Sequence, residues 1–344
     1  MQNQLKPGKL LDSKGNLTEC GYAYDLVKYY IRSDIKANKW RIKEWDYYYI
    51  GNNDYGVAVT VADNSYMWLC TATFLNFKEK WEHTASKMGA FSFGKLHLPE
   101  TSKTGDIKFA KKGFSFEFKN DYGKRHLIVK YNKLYKNMDF YLDCYLEQPI
   151  KDTMVIATPW LNNEKQHFYY NQKINCLAAK GFVKFNNIEY SLDNAYGVLD
   201  WGRGVWTYKN TWYWSSMSGK TIDDKYIGFN LGYGFGDQNA SKATENMFFY
   251  EDKAWKLEDV TFNIPLDEKG NCKFLEPWTF TSSDDSINMT FNPIIDRNTN
   301  TNVLIIQTLQ HQVFGIFNGY IKINNQTIEI KDMIGFAEKV YMKY

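Results

Sequence analysis

At 344 residues, 44% of them apolar, the chain can bury a sizeable core and fits one large or two medium domains without disulfides or metals to hold it. Forty-two basic and 39 acidic side chains leave a formal charge of +3, too balanced and too scattered for a dedicated nucleic-acid binder. Aromatic residues at 17% beside only 7 prolines favour pleated structure over helix.

The five cysteines (Cys20, Cys70, Cys144, Cys176, Cys272) lie far apart without Cys-x-x-Cys spacing, which argues against a disulfide framework and a zinc site. The histidines show no metal-ligand spacing, and no cofactor motif is present. The start lacks the apolar stretch of a signal peptide, and no apolar run approaches the ~20 residues of a membrane helix. The expectation is a soluble, cytoplasmic protein with no metal, no cofactor and no integral membrane segment. Nothing in the sequence sets the oligomeric state.

In chain order, Lys9 to Ala23 reads as an extended arm, and Tyr24 to Lys36 as a short helix or a strand climbing onto the body. Arg41 to Ile50, Val57 to Ala62 and Tyr66 to Phe77 read as a meander, turned at Asn52-Asn-Asp-Tyr-Gly56 and Asp63-Asn-Ser65. Phe77, Trp81, Ala85 and Met88 fall on one face of a helix, so their spacing predicts a helix over 77–88. Strand-like runs follow at Ile107 to Glu117, Leu127 to Tyr131, Met138 to Leu146, Thr153 to Trp160 and Ala178 to Phe185. The polar stretch Asn186 to Asn194 is the natural cut, giving units of 1–190 and 191–344.

Beyond the cut, runs such as Thr211 to Met217, Tyr226 to Tyr233 and Gln312 to Ile323 repeat the manner of the first half, separated by Gly-, Asp- and Asn-rich turns. Trp45-Asp-Tyr-Tyr-Tyr49, a turn, then Tyr55-Gly-Val-Ala58 is matched by Trp212-Tyr-Trp-Ser-Ser216, a turn, then Tyr226-Ile-Gly-Phe229, as a duplicated β-barrel unit would give.

The densest tryptophan cluster, Trp201, Trp206, Trp212 and Trp214, lies within Tyr196 to Gly219, where Asp200 and Arg203 sit among glycines. Glycine permits turns and bulges, so a bulged turn feeding a strand is expected there. The acid and the guanidinium are either a site in an aromatic wall or a buried ion pair bracing two strands. Glu44 and Asp46, two apart, share a strand face with Trp45 opposite. Close carboxylates raise one pKa, which suits an acid catalyst; on an exposed face the same pair would only keep a strand edge soluble, and Arg41 and Lys43, also two apart, could neutralise it. Gln310 and Gln312 point one way and His311 the other, making His311 a proton shuttle or a satisfied structural histidine. Glu245 reads as a binding group at a strand lip or as a turn cap. Glu338 reads as a buried acid paired with Arg203 or as a cap on the final segment.

The motifs Arg41-Ile-Lys-Glu-Trp-Asp46, Asp200-Trp-Gly-Arg-Gly-Val-Trp206, Gly234-Phe-Gly-Asp237, Ala243-Thr-Glu-Asn246, Gln310-His-Gln-Val-Phe-Gly315 and Gly335-Phe-Ala-Glu338 resemble the mostly bacterial domain-of-unknown-function 2804 family across nearly the whole chain. A weaker similarity extends to tandem lipocalin-like proteins: the carotenoid hydratases, the attachment-protein-H-like family and, more remotely, the tocopherol cyclases. Asp200-Trp-Gly202 with Trp212-Tyr-Trp214 and Ser218-Gly219 fits their layout, although the residues those hydratases carry between the Asp and the Trp-Gly are missing. The resemblance implies two calycin-type barrels side by side, with a ligand cleft between them or in one mouth.

The resulting expectation is an all-β, mostly antiparallel fold of two lipocalin-like barrels with one or two short helices. Its partner would be a small hydrophobic molecule bound in an aromatic cleft and transformed by acid catalysis of the hydratase or cyclase kind. Asp200, Glu44, Asp46 and His311 are the candidate catalytic groups. Tyr196, Trp201, Arg203, Trp206, Trp212, Trp214, Trp45, Glu245, Gln310 and Gln312 are the candidate binding groups. The alternatives are a carrier that performs no chemistry and a carbohydrate-active protein using paired carboxylates.

Overall fold

The computed structural model describes residues 2–160, 166–303 and 306–343. Strands dominate them, as the aromatic and β-branched composition requires, and nearly all pair antiparallel. Two large sheets form. In the first, the meander Trp81–Ala90, Met67–Asn76, Tyr55–Asp63, Ile42–Gly51 is followed across the sheet by Tyr196–Val205, Phe168–Phe185, Met138–Glu147, Lys124–Tyr135, Phe114–Asp121 and Ile107–Lys111. In the second, the meander Lys253–Lys256, Met247–Tyr250, Tyr226–Tyr233, Lys209–Lys220 is followed by Gln326–Lys343, Ile306–Ile323, Ile287–Val303, Trp278–Ser282 and Val260–Asn263. The two orders obey one rule: four consecutive strands, then the last long strand of that half beside the first. The Trp45 and Trp212 strands hold equivalent places, as their sequence match predicts.

Each sheet curls around its own core. Phe114, Phe116 and Phe118 alternate inward with Leu127, Val129 and Trp201 in the first barrel, and Phe262, Phe280, Phe291 and Phe317 fill the second. A third apolar cluster, including Tyr47, Tyr49, Tyr169, Trp206, Trp214, Phe314 and Phe336, lies where the outer faces of the two barrels meet. This seam explains why Ile42–Gly51, Tyr196–Val205 and Tyr226–Tyr233 are buried almost continuously along both faces, while Phe114–Asp121 alternates. A bulge between Ile174 and Leu177 turns Asn175 toward the second sheet, where its amide donates to Ser216 Oγ (2.8 Å) and the Phe229 carbonyl (2.9 Å). The N-terminal arm also bridges the barrels: Gly21–Ala23 pairs with Met154–Pro159, and Gln2 Nε2 donates to the Leu257 carbonyl at 2.8 Å.

The structure differs from expectation in two places. The predicted 77–88 helix is a turn at Phe77 to Lys80 followed by the edge strand Trp81–Ala90. Phe77 packs against Phe314 in the seam while Trp81 packs on Tyr135 and Phe185 in the first barrel, so the two rings serve different cores. Their helical spacing is coincidental, and Met88 is exposed. The bulged turn expected among Gly197, Gly202 and Gly204 is instead the regular strand Tyr196–Val205, in unbroken register with Ile42–Gly51. Gly202 and Gly204 serve close approach: a Cβ on Gly202 would lie 2.0 Å from the Trp45 ring, and one on Gly204 would lie 2.4 Å from the Phe168 carbonyl oxygen. Because Tyr196–Val205 belongs to the first sheet, sheet membership changes between Val205 and Lys209. Tyr24 to Lys36 holds both readings, a short strand Lys28–Tyr29 and a 3-10 turn Arg32–Asp34. The one α-helix among the described residues is the single turn Gln238–Ser241, capped by the Asp237 carboxylate.

Candidate active site in the seam

Strand parity sorts the charged residues into two separate buried clusters. Asp200 and Arg203 are three apart on a regular strand, so they face opposite ways. Arg203 points into the first barrel, where its Nη2 lies 3.0 Å from Asp46 Oδ1 and its guanidinium stacks 4.3 Å from the Trp201 ring centroid. It also donates to the carbonyls of Trp45, Gly202 and Pro99. Glu44 joins this interior cluster, accepting from Tyr30 Oη at 2.7 Å and pairing with Arg32. Glu44 and Asp46 therefore share a face with Trp45 opposite, as their spacing predicts. Burial raises both carboxyl pKa values, and the Arg203 charge opposes that rise.

Asp200 points the other way, into the seam. Its Oδ2 lies 2.8 Å from Lys173 Nζ, and its Oδ1 accepts from Asn171 Nδ2 at 2.6 Å. The same ammonium sits 3.6 Å above the Trp214 ring. Glu338, from the last strand, accepts from Trp212 Nε1 (2.9 Å) and Gln312 Nε2 (3.1 Å), not from Arg203. Tyr47 Oη donates to Gln312 Oε1 at 3.3 Å, which joins the cluster across the seam. Glu245 is 1% exposed, and among the described residues neither carboxyl oxygen has a hydrogen-bond partner.

Around these groups the rings form a box. Trp206 meets Trp45 at 5.3 Å, Trp160 at 5.6 Å and Trp212 at 5.6 Å between centroids, and Phe235 stacks on Tyr169 at 4.5 Å. Burial in this apolar wall pushes the Glu245 carboxyl up to about 7, against the pull of Lys173 and with the neighbouring Asp200 charge. Glu338 is likewise pushed up to about 7 by burial, opposed by the Trp212 hydrogen bond. Lys256, whose ammonium donates to Thr244 Oγ1 and to the carbonyls of Asn246 and Leu257, is pushed down to about 7 by the same desolvation. Three carboxyls thus share the seam with Lys173, whose ammonium contacts Asp200; the other two hold protons near neutrality. A neutral carboxylic acid beside tryptophan faces can donate a proton and steady the cation that results.

The seam brings together Asp200, Trp45, Trp206, Trp212, Trp214, Glu245 and Gln312, with Gln310 on the same strand face as Gln312. It leaves Glu44, Asp46, Arg203 and Trp201 inside the first barrel. His311 faces the other way from Gln312, its Nδ1 2.8 Å from Asp296 Oδ2 and its ring stacked 3.8 Å from Phe274. Tyr196 lines an open groove of about 920 Å³ at the far end of the seam, with Asn52, Lys220 and Glu329. Lys173, Tyr169 and Phe235 escaped the sequence reading. A lysine inside the otherwise apolar and amide run Phe168-Tyr-Tyr-Asn-Gln-Lys-Ile-Asn-Cys-Leu177 was the available signal. Among the described residues no group of His, Cys, Asp and Glu is placed to hold a metal ion, and no helix is long and apolar enough to cross a membrane.

The fold has known counterparts. An attachment-protein-H-like (AttH) protein of Nitrosomonas europaea superposes with a TM-score of 0.56 at 10% identity, covering 90% of this chain and 95% of that one. Kievitone hydratase of Nectria haematococca superposes with a TM-score of 0.50 at 14% identity, covering 99% of this chain and 98% of that one. At these identities the likeness is one of fold. No curated protein sequence matches the chain. The model of the domain of unknown function DUF2804 matches residues 2–344, and the chain belongs to that family.

Proposed function

We propose that this protein binds a small hydrophobic molecule between its two barrels, divided at 205–209, and transforms it by acid catalysis, with Glu245 as the proton donor. The observation that carries this reading is a fully buried carboxyl with no hydrogen-bond partner among the described residues, set beside an aromatic box and a second acid. Hydration of an alkene is the reaction this arrangement serves best, and the fold shared with a hydratase supports it. The alkene π electrons take the Glu245 proton to form a new C–H bond, and the cation left behind is held against Trp206 and Trp212. A water molecule adds through its oxygen, and its surplus proton returns to Glu245. Alkene and water become an alcohol, and the protein is unchanged. Glu338, fixed by Trp212 and Gln312, and the Lys173–Asp200 pair set the electrostatics of the step rather than carry its proton.

Incubation with a panel of prenylated phenols and short isoprenoids, read for products heavier by one water, tests the reading. Glu245→Gln should lose turnover by roughly 10²-fold or more while retaining ligand-induced quenching of tryptophan fluorescence. Full turnover in that variant would overturn the assignment of the acid. Ligand binding with no product from the unsubstituted protein would make it a carrier.

A further inference from the structure

The aromatic box is closed, and one of the chain's own rings fills it. Phe235 is 5% exposed; it stacks on Tyr169 with an interplanar angle of 8° and lies 4.7 Å from Trp212 and 5.7 Å from Trp206. A phenyl ring has nothing to offer a hydrogen bond, yet three side chains at this box carry buried polar atoms with no hydrogen-bond partner among the described residues. Among the described residues Tyr169 Oη, Trp160 Nε1 and both Glu245 oxygens are buried and unsatisfied. Such groups in a native structure call for an explanation, and donors and acceptors grouped at one seat point to a ligand that carries polar substituents. The seated position of Phe235 depends on two glycines. It stands between Gly234 (φ +93°) and Gly236 (φ +65°), both left-handed and without room for a Cβ, which would lie 2.5 Å from the Thr211 carbonyl oxygen and 2.5 Å from Thr158 Cγ2 respectively. The segment 234–243 reaches from the second sheet onto the first barrel through Asp237 N donating to the Pro159 carbonyl (2.6 Å) and Thr158 Oγ1 donating to the Asp237 carbonyl (3.0 Å).

Resting on the proposed site, we infer that Phe235 is a displaceable plug. Its ring holds the seat of a hydroxylated planar aromatic group of the ligand, and segment 234–243 swings out to admit it. The hydroxyl of that group takes the hydrogen bonds the phenyl ring leaves unmade. With the plug in place the competent state is a minor one, so apparent affinity is reduced by its population.

The test uses 1-naphthol, a hydroxylated planar ring with no isolated alkene to hydrate. Titration calorimetry and amide hydrogen exchange are run on the unsubstituted protein, Phe235→Ala and Gly236→Ala. The unsubstituted protein should bind with faster exchange across 234–243, and both variants should bind about tenfold more tightly. Binding confined to Phe235→Ala would mark the ring as fixed core and the binding as cavity filling, overturning the plug. Binding by the unsubstituted protein with unchanged exchange, or no binding by any form, would also overturn it. If Phe235→Ala does not fold, Gly236→Ala and the exchange data decide. Failure here leaves Glu245 as the acid, and full turnover in Glu245→Gln leaves the plug, so the two ideas fail separately.

Discussion

The interior of the first barrel and the seam between the barrels are equally buried and equally rich in charge, yet they are built differently. Inside the barrel Asp46 faces Arg203 and Glu44 faces Arg32 and Tyr30, so each carboxylate has a cation against it. In the seam Asp200 takes the Lys173 ammonium, Glu338 is held only by neutral donors, and Glu245 is held by none among the described residues. The difference separates structure from chemistry. A buried charge that is matched fixes two strands and a loop to one another. A buried acid left unmatched keeps its proton near neutrality, at a cost to the fold that a purely structural role does not explain.

The sharpest way to break this comparison is to unmatch the barrel interior. Arg203→Met leaves Asp46 buried without its cation and should destabilise the fold by about 3–5 kcal/mol, read by urea unfolding. A loss below about 1 kcal/mol would show that the pair is not what secures Ile42–Gly51 to Tyr196–Val205.

A second test, smaller and opposite in sign, discharges the seam. Burial raises the Glu245 carboxyl from 4.5 to about 7, with Lys173, Asp200, Lys256 and Glu338 facing it. Between those values the folded chain retains a proton that the unfolded chain has released, so stability falls as pH rises through that window and levels off above it. The span corresponds to on the order of 3 kcal/mol. Glu245→Gln should therefore flatten the decline in melting temperature between about pH 5 and 7.5 and stabilise the protein above it, leaving the part due to the other raised carboxyls, Glu338, Glu44 and Asp46 among them. An unchanged slope would mean that Glu245 titrates as an ordinary exposed carboxyl. The smallest effect belongs to a pair outside both clusters: Lys184 and Glu189 are about half exposed, and Glu189→Gln should shift stability by less than about 0.5 kcal/mol at any pH.

The faces of the site were partly legible before its location was. Period-two alternation correctly places Glu44 with Asp46 and separates Gln312 from His311, because a strand side chain's direction depends only on its own strand. The same arithmetic applied to Asp200 and Arg203 would have parted them. The flanking glycines suggested a bend instead, whereas Gly202 and Gly204 are small so that the Trp45 ring and the Phe168 carbonyl can approach. The 77–88 helix failed for a related reason: spacing within one segment cannot reveal that Phe77 and Trp81 are claimed by different cores.

The sequence by itself determined the all-β character, the positions of most strands and turns, the repeated meander beginning at Trp45 and at Trp212, and the concentration of tryptophan near the middle of the chain. These are local properties, written in composition and alternation. Only the tertiary structure decided which strand faces line a barrel and which line the seam. It therefore decided that Lys173, Asp200, Glu245 and Glu338 share one apolar enclosure. A carboxyl's proton affinity depends on the solvent it loses and the charges it meets. Both are set by strands far away in the chain, which meet only when the two barrels close on each other.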